Sequence, residues 1–481
     1  MMLTKNEVYR KLSYKDLIIF LIPFVIFMFY LTMFDPGVLR LDTFTQLGQI
    51  TKFQFDNWHP FFHTYIEMLC LKIIPNPKSV AILQILTFAV IWTAICNYFR
   101  HDDPSIKSNK FNQDFILQII TTLVICLIPI NAVYSITLVK DTLFSYFFLL
   151  TCFLIKILLD KKGNVGYGFI IIFSLSMAFV SQLRHNGIIV ILILLVILAI
   201  KLYKLNKEKK LYIILPAATI IFILLIASLN VAYDVADNDK DAVYTKVIHM
   251  LADYDLNLTL DNSDRDKIHE VINEKTIKKS YFVYGSDPMY LYSNQSVYDN
   301  DKSAFIDMAI KYSLQNPMHF IKYIFDSSPM VWDFIHVKDY GGSAYYIDNT
   351  ANYARYKAHI PIYENSIVNN EEIFGFKFLY PTINFFNYDS ILNELFYSPA
   401  LYMYLSLILM GGIYLLTKSR DIIYVYLPNV INILLVFAST PIQDYRYLYP
   451  NLLLFYLLII ILINVLYENK KQYSPPNSNI K

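Results

Sequence analysis

Four short polar segments adjoin apolar runs of this chain, and each holds residue types that can bind an anion or transfer a proton. In chain order they are Asp35, Asp42, Gln46 and His59; Lys140-Asp141; Gln182, Arg184, His185 and Asn186; and Gln443-Asp444-Tyr445-Arg446. Lysine and arginine supply charge to a phosphate, and arginine can bind it through two parallel N–H groups. A carboxylate such as Asp42 can accept the proton of an attacking hydroxyl. The residues alone therefore predict transfer or binding of a phosphate-bearing group.

Each segment also has a simpler interpretation as an anchor at a membrane surface. Charges at the membrane edge cost little, and long basic side chains reach water there while their stems stay in lipid. Several such segments on one face are harder to explain in this way, so we expect at least two to converge on one pocket. The candidate catalytic residues are Asp42 and Asp35. The candidate substrate-binding residues are Gln46, His59, Lys140, Asp141, Arg184, His185, Asn186, Asp444 and Arg446.

The composition indicates a protein embedded in a lipid bilayer. Of 481 residues, 56% are hydrophobic and 17% are charged, against about 25% charged in a typical soluble domain. The mean hydropathy is +0.40. Several stretches exceed the roughly 18 apolar residues that a membrane helix needs, and they are too long for membrane strands. The net charge of +2 gives no reason to expect a nucleic-acid partner. All four cysteines lie in apolar segments, where they predict neither disulfides nor a metal site.

Apolar runs predict an all-α polytopic membrane protein with about ten spans. They are 17–34, 80–98, 114–130, 141–159, 167–183, 187–204, 212–230, 398–416, 421–438 and 446–466. The segment 61–74 is too short to cross and carries His63, Glu67 and Lys72. We expect it to lie in the outer membrane interface. His59, His63 and Glu67 have a spacing that can bind zinc, but Pro60 makes His59 a cap outside that helix.

The distribution of lysine and arginine predicts the topology and the domains. The basic loops share one side only if 61–74 does not span, and the positive-inside rule makes that side cytoplasmic. The predicted parts are a transmembrane module over 1–230 with a first external loop at 35–78, an external, mainly α soluble domain over 231–397, C-terminal membrane helices over 398–468 and a disordered cytoplasmic tail over 469–481. Polar segments between spans then face outside, including a short loop at 131–140. The acidic pattern Asp253-Tyr-Asp255 within the soluble domain is expected on a solvated face.

The order of these motifs resembles the GT-C superfamily of membrane glycosyltransferases. The matching features are Asp42 with Gln46, the run Asn57-Trp58-His59-Pro60 about 15 residues later, and Lys140-Asp141. More narrowly, the set PGVLRLDTFTQ, NWHP, VKD, LRHNG and YRY is similar to uncharacterised GT-C-like proteins of Gram-positive bacteria. Protein O-mannosyltransferases and aminoarabinose transferases are more distant members of the superfamily. The resemblance covers about residues 17–205 and 398–466, and it does not specify the soluble domain.

The resemblance implies a glycosyltransferase in the cell membrane with its active site on the extracytoplasmic face. The donor would be a polyprenyl-phosphate-linked sugar, and the acceptor a cell-envelope glycan, a teichoic acid or a glycolipid. Asp42 would act as the base, and Arg184, Lys140 and Arg446 would hold the donor phosphate. The family's acidic pair appears here as the single carboxylate of Asp42-Thr43. No cofactor is therefore assigned, and a divalent cation, Mg²⁺ or Mn²⁺, stays an alternative.

Two other functions stay open at this point. A lipid-linked glycan transporter or flippase should show helices broken by polar residues, glycine or proline near the bilayer midplane, and this sequence has few. A polysaccharide polymerase or ligase of another fold could also use arginine on lipid diphosphates.

Overall fold

A computed structural model describes residues 13–100, 113–205, 210–236, 242–335, 397–439 and 442–473 of the chain. Within these residues every regular element is helical. The helices of the first half are α1 Tyr14–Met33, α2 Leu41–Lys52, α3 Phe61–Ile73, α4 Lys78–Phe99, α5 Gln113–Leu127, α6 Pro129–Ile136, α7 Lys140–Asp160, α8 Tyr167–Leu183, α9 His185–Leu205 and α10 Leu211–Ala232. The helices of the second half are α11 Ala242–Asn257, α12 Asn262–Val271, α13 Glu274–Ser280, α14 Asp287–Tyr292, α15 Gln295–Asn300, α16 Lys302–Gln315, α17 Pro317–Asp326, α18 Pro329–Trp332, α19 Pro399–Thr417, α20 Asp421–Ser439 and, after a 3₁₀ turn Tyr445–Leu448, α21 Tyr449–Tyr473.

Eight of the described helices are long and apolar enough to cross a bilayer: α1, α4, α7, α9, α10, α19, α20 and the run Tyr445–Asn469. Their outward faces are apolar because lipid, like a protein core, offers backbone and side chains no hydrogen bonds. The described part of the chain is all-α and has the helices of a multi-pass membrane protein, as the sequence predicted.

The predicted count of ten spans differs from the structure at two places. The segment predicted as the span 114–130 is a bent pair, α5 and α6, with an angle of 68° between them. Pro129 begins α6, and a proline forces the residue before it out of the helical region, so the chain breaks at Ile128. The predicted loop 131–140 is consequently helical as far as Ile136. The helix α8 has 17 residues, two fewer than the shortest of the eight helices counted above.

The short segment 61–74 forms the helix α3, which has 13 residues. At 1.5 Å per residue it is about 20 Å long, against about 30 Å for the bilayer core, in agreement with a helix that does not cross. One side of it is buried in the protein, while Leu69, Lys72 and Ile73 are exposed. It packs against α2, α4, α8 and α10, and His63 and Glu67 are completely buried. Its position in a membrane stays a prediction.

The first loop is fastened to the chain before α7. Val38 forms a parallel bridge with Thr137, and Leu138 donates a backbone hydrogen bond to Val38 at 3.0 Å. The amide of Gln84 donates to the carbonyl oxygens of Ser135 and Thr137, at 3.1 and 2.9 Å. These contacts hold the start of α2 beside the start of α7. The end of the bundle where α1 and α8 end and α7 begins is called the site end below.

The helices α11 to α16 pack around a core of their own that includes Tyr244, Tyr298 and Phe305. The helix α17 packs on α16, and α18 packs on α19 and α20. Together, α11 to α18 are called the polar domain. The mainly α character predicted for 231–397 agrees with the described residues 242–335, and their position outside the membrane stays a prediction. The pair Asp253 and Asp255 is not on a solvated face, because both are buried: His319 and Tyr281 bind Asp253, and Arg265 and His269 bind Asp255. Residues 336–396 of the predicted domain 231–397 lie outside the described residues.

Gln443 connects this polar domain to the last span. Its amide nitrogen donates to the carbonyl oxygens of Tyr284 and Ser327, at 3.2 and 2.9 Å, and its oxygen accepts from the Met330 N–H at 3.2 Å. The predicted tail 469–481 begins too early, because α21 continues to Tyr473. Residues 474–481 lie outside the part of the chain that the structure describes.

Candidate functional site

Asp42 is the centre of a group of charges at the site end. It occupies the first turn of α2, where the helix dipole favours a carboxylate. One of its oxygens accepts from Arg446 Nη1 at 2.6 Å and from Lys140 Nζ at 3.3 Å. Lys140 also lies 2.9 Å from His59 Nδ1. Burial, together with the Lys140 charge, lowers the pKa of His59 to about 3, so its neutral ring accepts this bond.

Arg446 joins Asp42 to two further carboxylates. Its Nε lies 3.1 Å from Asp444 Oδ2 and 3.8 Å from Asp141 Oδ2. Asp444 also accepts the backbone N–H of Arg446 at 3.1 Å, which caps the 3₁₀ turn that presents the guanidinium. One side chain from the last span thus contacts carboxylates from three separate parts of the sequence.

Arg184 is positioned by an abrupt change of direction between α8 and α9. It is the single extended residue between them, with φ −145° and ψ 141°. Gly187 follows in α9, and a Cβ there would lie 2.1 Å from the carbonyl oxygen of Val180. Only glycine permits this close approach of the two helices. The motif that contains Arg184 is therefore needed for helix packing as well as for its charge.

The guanidinium of Arg184 also contacts this group of charges. Its Nη1 lies 3.2 Å from Asp141 Oδ1. The guanidinium carbon is 5.3 Å from the centre of the Phe144 ring and 4.7 Å from that of Tyr447. Stacking on two rings restrains a long side chain and leaves part of its N–H fork for another acceptor.

Arg40 belongs to the group and was not among the predicted site residues. Its Nη2 lies 3.0 Å from Asp444 Oδ2. Its position two residues before Asp42, within the motif PGVLRLD, was the available signal. The charged cluster is hereafter the set Arg40, Asp42, His59, Lys140, Asp141, Arg184, Asp444 and Arg446.

The cations of the charged cluster lower the pKa of two of its carboxylates, Asp42 and Asp444. Burial alone would raise the pKa of Asp42, but Arg446 and Lys140 outweigh it and hold that pKa well below its usual range. For Asp444 too, burial is outweighed, here by Arg40 and Arg446, and the pKa is lowered. With His59 neutral, four cations face three carboxylates. The surplus positive charge favours binding of an anion.

The remaining predicted residues lie around the charged cluster or away from it. The exposed ring of His185 has its Nε2 3.4 Å from the carbonyl oxygen of Trp58. Asn186 is half-buried in the first turn of α9. Asp35 is paired with Lys78 at 3.4 Å, outside the charged cluster. The structure therefore does not bring the two predicted catalytic carboxylates into one contact network.

Gln46 is completely buried, and its polar contacts are with residues of α3 instead of the charged cluster. Its amide nitrogen lies 3.1 Å from His63 Nδ1 and 2.9 Å from Thr64 Oγ1. His63 Nδ1 is in turn 3.6 Å from Glu67. Burial raises the pKa of Glu67 well above its usual value and lowers that of His63 to about 3, so burial favours the neutral form of each group. His59 contacts the charged cluster instead, which agrees with its predicted place outside the helix.

The carboxylates do not fit a Mg²⁺ or Mn²⁺ ion. Asp42 faces Arg446 and Lys140, and Asp35 faces Lys78. A hard divalent cation needs several oxygen ligands that are not already held by cationic side chains. Among the described residues, no three or more His, Cys, Asp or Glu side chains are grouped so as to hold a metal.

Comparisons of this chain with protein-family models, with curated proteins and with solved structures found no match.

Proposed function

We propose that this protein is a membrane glycosyltransferase that moves a sugar from a polyprenyl-phosphate carrier to an acceptor of the cell envelope, on the extracytoplasmic face. The observation that carries the proposal is the charged cluster. Its four cations come from four distant parts of the sequence, the chain before α2 and the starts or ends of membrane spans. A donor with a lipid tail and a phosphate can reach such a site from the bilayer.

The cations supply what a phosphate leaving group requires. As the bond between the anomeric carbon and the phosphate oxygen breaks, negative charge grows on the phosphate. Cations fixed beside it bind the transition state more strongly than the ground state, and that difference is what accelerates a reaction. Arg184 and Arg446 can each offer a planar N–H fork, and Lys140 a point charge.

Asp42 has a role that follows from its resting contacts. In the absence of a donor, Asp42 accepts hydrogen bonds from Arg446 and Lys140. A donor phosphate that binds either cation must therefore displace the Asp42 carboxylate from it. A carboxylate with so low a pKa is a weak proton acceptor. We assign to Asp42 the positioning of these two cations.

The proposal is tested by reconstitution of the full chain in proteoliposomes with radiolabelled polyprenyl-phosphoryl hexoses and envelope glycan or glycolipid acceptors. We expect transfer by the wild type. Lys140→Ala should lower the affinity for polyprenyl phosphate at least about tenfold, since a charged contact contributes about 1.5–3 kcal/mol.

Lys201→Ala is the matched control for Lys140→Ala. Lys201 is also a partly buried lysine paired with an aspartate, Asp421, at 2.9 Å, but it lies at the other end of the bundle. This variant should bind and transfer as the wild type does. Equal losses of affinity in the two lysine variants would show that the donor does not bind at the site end. A wild type without any transfer would overturn the proposed function.

A lipid-linked glycan transporter is the second candidate, and the bent pair α5 and α6 favours it. Broken helices with polar side chains line the substrate sites of transporters. Here Asn131, next to the break, donates to Tyr456 at 2.9 Å and accepts from Tyr449 at 3.1 Å. A transporter would move a fluorescent polyprenyl-phosphoryl sugar across the liposome membrane and form no new glycosidic bond.

A further inference from the structure

The helix α14 of the polar domain is held against the charged cluster from two directions. Just before it, Gly285 forms an antiparallel bridge with Ile442, two residues from Asp444. At its other end, the Tyr290 ring stacks on Trp58, with the ring centres 5.9 Å apart and an angle of 22° between the planes. Trp58 is the neighbour of His59. Both contacts fix α14 beside the segments that carry the charged cluster.

Asp287 begins α14, between these two points of attachment. Among the described residues its side chain forms no ion pair and no hydrogen bond, and it is open to solvent. It is close enough to Asp42 and Arg446 for both charges to act on it. Partial desolvation by the surrounding protein raises the pKa of Asp287, Arg446 opposes this rise and Asp42 adds to it.

Asp42 and Asp287 therefore differ in what they can do. Asp42 is bound by Arg446 and Lys140, whereas Asp287 is unpaired and faces solvent, from which a water-soluble acceptor head group arrives. The Trp58 side chain beside it is 37% exposed and offers an aromatic edge to a sugar ring. We propose that Asp287 binds the acceptor hydroxyl and accepts its proton. This inference rests on the proposed function and deepens it.

The step balances without any further reactant. The acceptor hydroxyl oxygen forms a bond with the anomeric carbon of the donor sugar, and the bond from that carbon to the phosphate oxygen breaks. Its electron pair leaves with the polyprenyl phosphate, where the cations of the charged cluster stabilise it. The hydroxyl proton passes to the Asp287 carboxylate, which later releases it to solvent.

The test is transfer by full-length Asp287→Asn, Asp287→Glu and Asp307→Asn in the proteoliposome assay, over a range of pH. Asp287→Asn should lose about 10²–10⁴ in turnover, the usual contribution of a general base, with unchanged affinity for polyprenyl phosphate. Asp287→Glu should recover part of the turnover. Asp307→Asn is the control, because Asp307 is likewise an exposed carboxylate of the polar domain, on α16, and should be silent.

The pH profile separates a proton acceptor from a structural role. Transfer by the wild type should fall as pH drops through the raised pKa of Asp287, above the usual carboxyl value of about 3.9, and Asp287→Asn should lose this acid limb. Of the elements packed on α14, α11 contributes Tyr244, which contacts Tyr290, and α13 contributes Glu274 and Lys278, which pair with each other. The charges that act on Asp287 come from Arg446 and Asp42.

Two results would overturn the inference and leave the proposed function standing. One is wild-type turnover in Asp287→Asn. The other is a loss in Asp287→Asn that keeps the acid limb and is matched by Asp307→Asn, as a general disturbance of the polar domain would produce. A wild type that transfers nothing would overturn the proposed function and this inference together.

Discussion

The charged side chains at the two ends of the helix bundle differ in their exposure and in their balance of cations and carboxylates. At the end away from the site, Asp16 accepts from Arg100 and Asn97, each at 2.8 Å, and the side chains of Asp16 and Arg100 are 3% and 1% exposed. At the site end, four cations share three carboxylates. There the side chains of Asp42 and Arg446 are 14% and 12% exposed. One arrangement is closed and matched in charge, and the other is open and carries surplus positive charge.

The difference shows which property of an ion pair indicates function. A buried pair by itself is weak evidence for a role beyond folding, and Asp16 with Arg100 joins α1 to the end of α4. The charged cluster has more cations than it needs to neutralise itself, and a ligand can reach it. Surplus charge and access, rather than the number of ion pairs, distinguish the site end.

The largest effect is expected at the closed end, on stability. Arg100→Met leaves the buried Asp16 without its cation, which should cost about 3–5 kcal/mol. Thermal unfolding in detergent measures the loss. The double variant Asp16→Asn with Arg100→Met should recover part of it, because no uncompensated charge remains. Transfer per folded molecule should stay at the wild-type value; a specific loss of turnover with normal stability would contradict the distinction between the two ends.

The next effect is expected from Arg184, on donor binding. Arg184→Ala should weaken binding of polyprenyl phosphate roughly 10–150-fold, which corresponds to the 1.5–3 kcal/mol of a charged hydrogen bond. Arg184→Lys should restore only part, since a point charge cannot form the two parallel bonds of a guanidinium. Binding of the labelled lipid to the purified variants measures this. Wild-type affinity in Arg184→Ala would show that the Arg184 guanidinium pairs with Asp141 and does not bind the donor phosphate.

The smallest effect concerns Asp42 and has the opposite sign. Asp42→Asn removes the carboxylate that competes with the donor for Arg446 and Lys140. We expect polyprenyl phosphate to bind about tenfold more tightly, a change of about 1.4 kcal/mol. If Asp42 were instead the base, turnover would fall about 10²–10⁴ with little change in affinity. Measuring both quantities on one preparation separates the two roles.

Most of the charged cluster could be predicted because its members adjoin apolar runs. Lys140, Asp141 and Arg184 stand at the ends of predicted spans, and charges at such places are visible without any structure. The break before α6 also had a signal, Pro129, which the hydropathy pattern concealed. Asp35 and Gln46 were predicted as site residues because they lie near Asp42 in the sequence. In the fold they contact Lys78 and His63 instead of the charged cluster.

The sequence by itself determined the prediction of an all-α chain with membrane-spanning helices. The length and apolarity of a run are local properties, and they decide whether a helix can cross the bilayer core. The sequence also determined which polar segments border those helices. Only the tertiary structure decided which cation meets which carboxylate: Asp42 and Arg446, in contact at 2.6 Å, are 404 residues apart in the chain. It likewise decided that Asp287 lies near them without an ion-pair partner among the described residues. Ionisation and pairing depend on burial and on charges brought in by distant segments, and no local pattern contains that information.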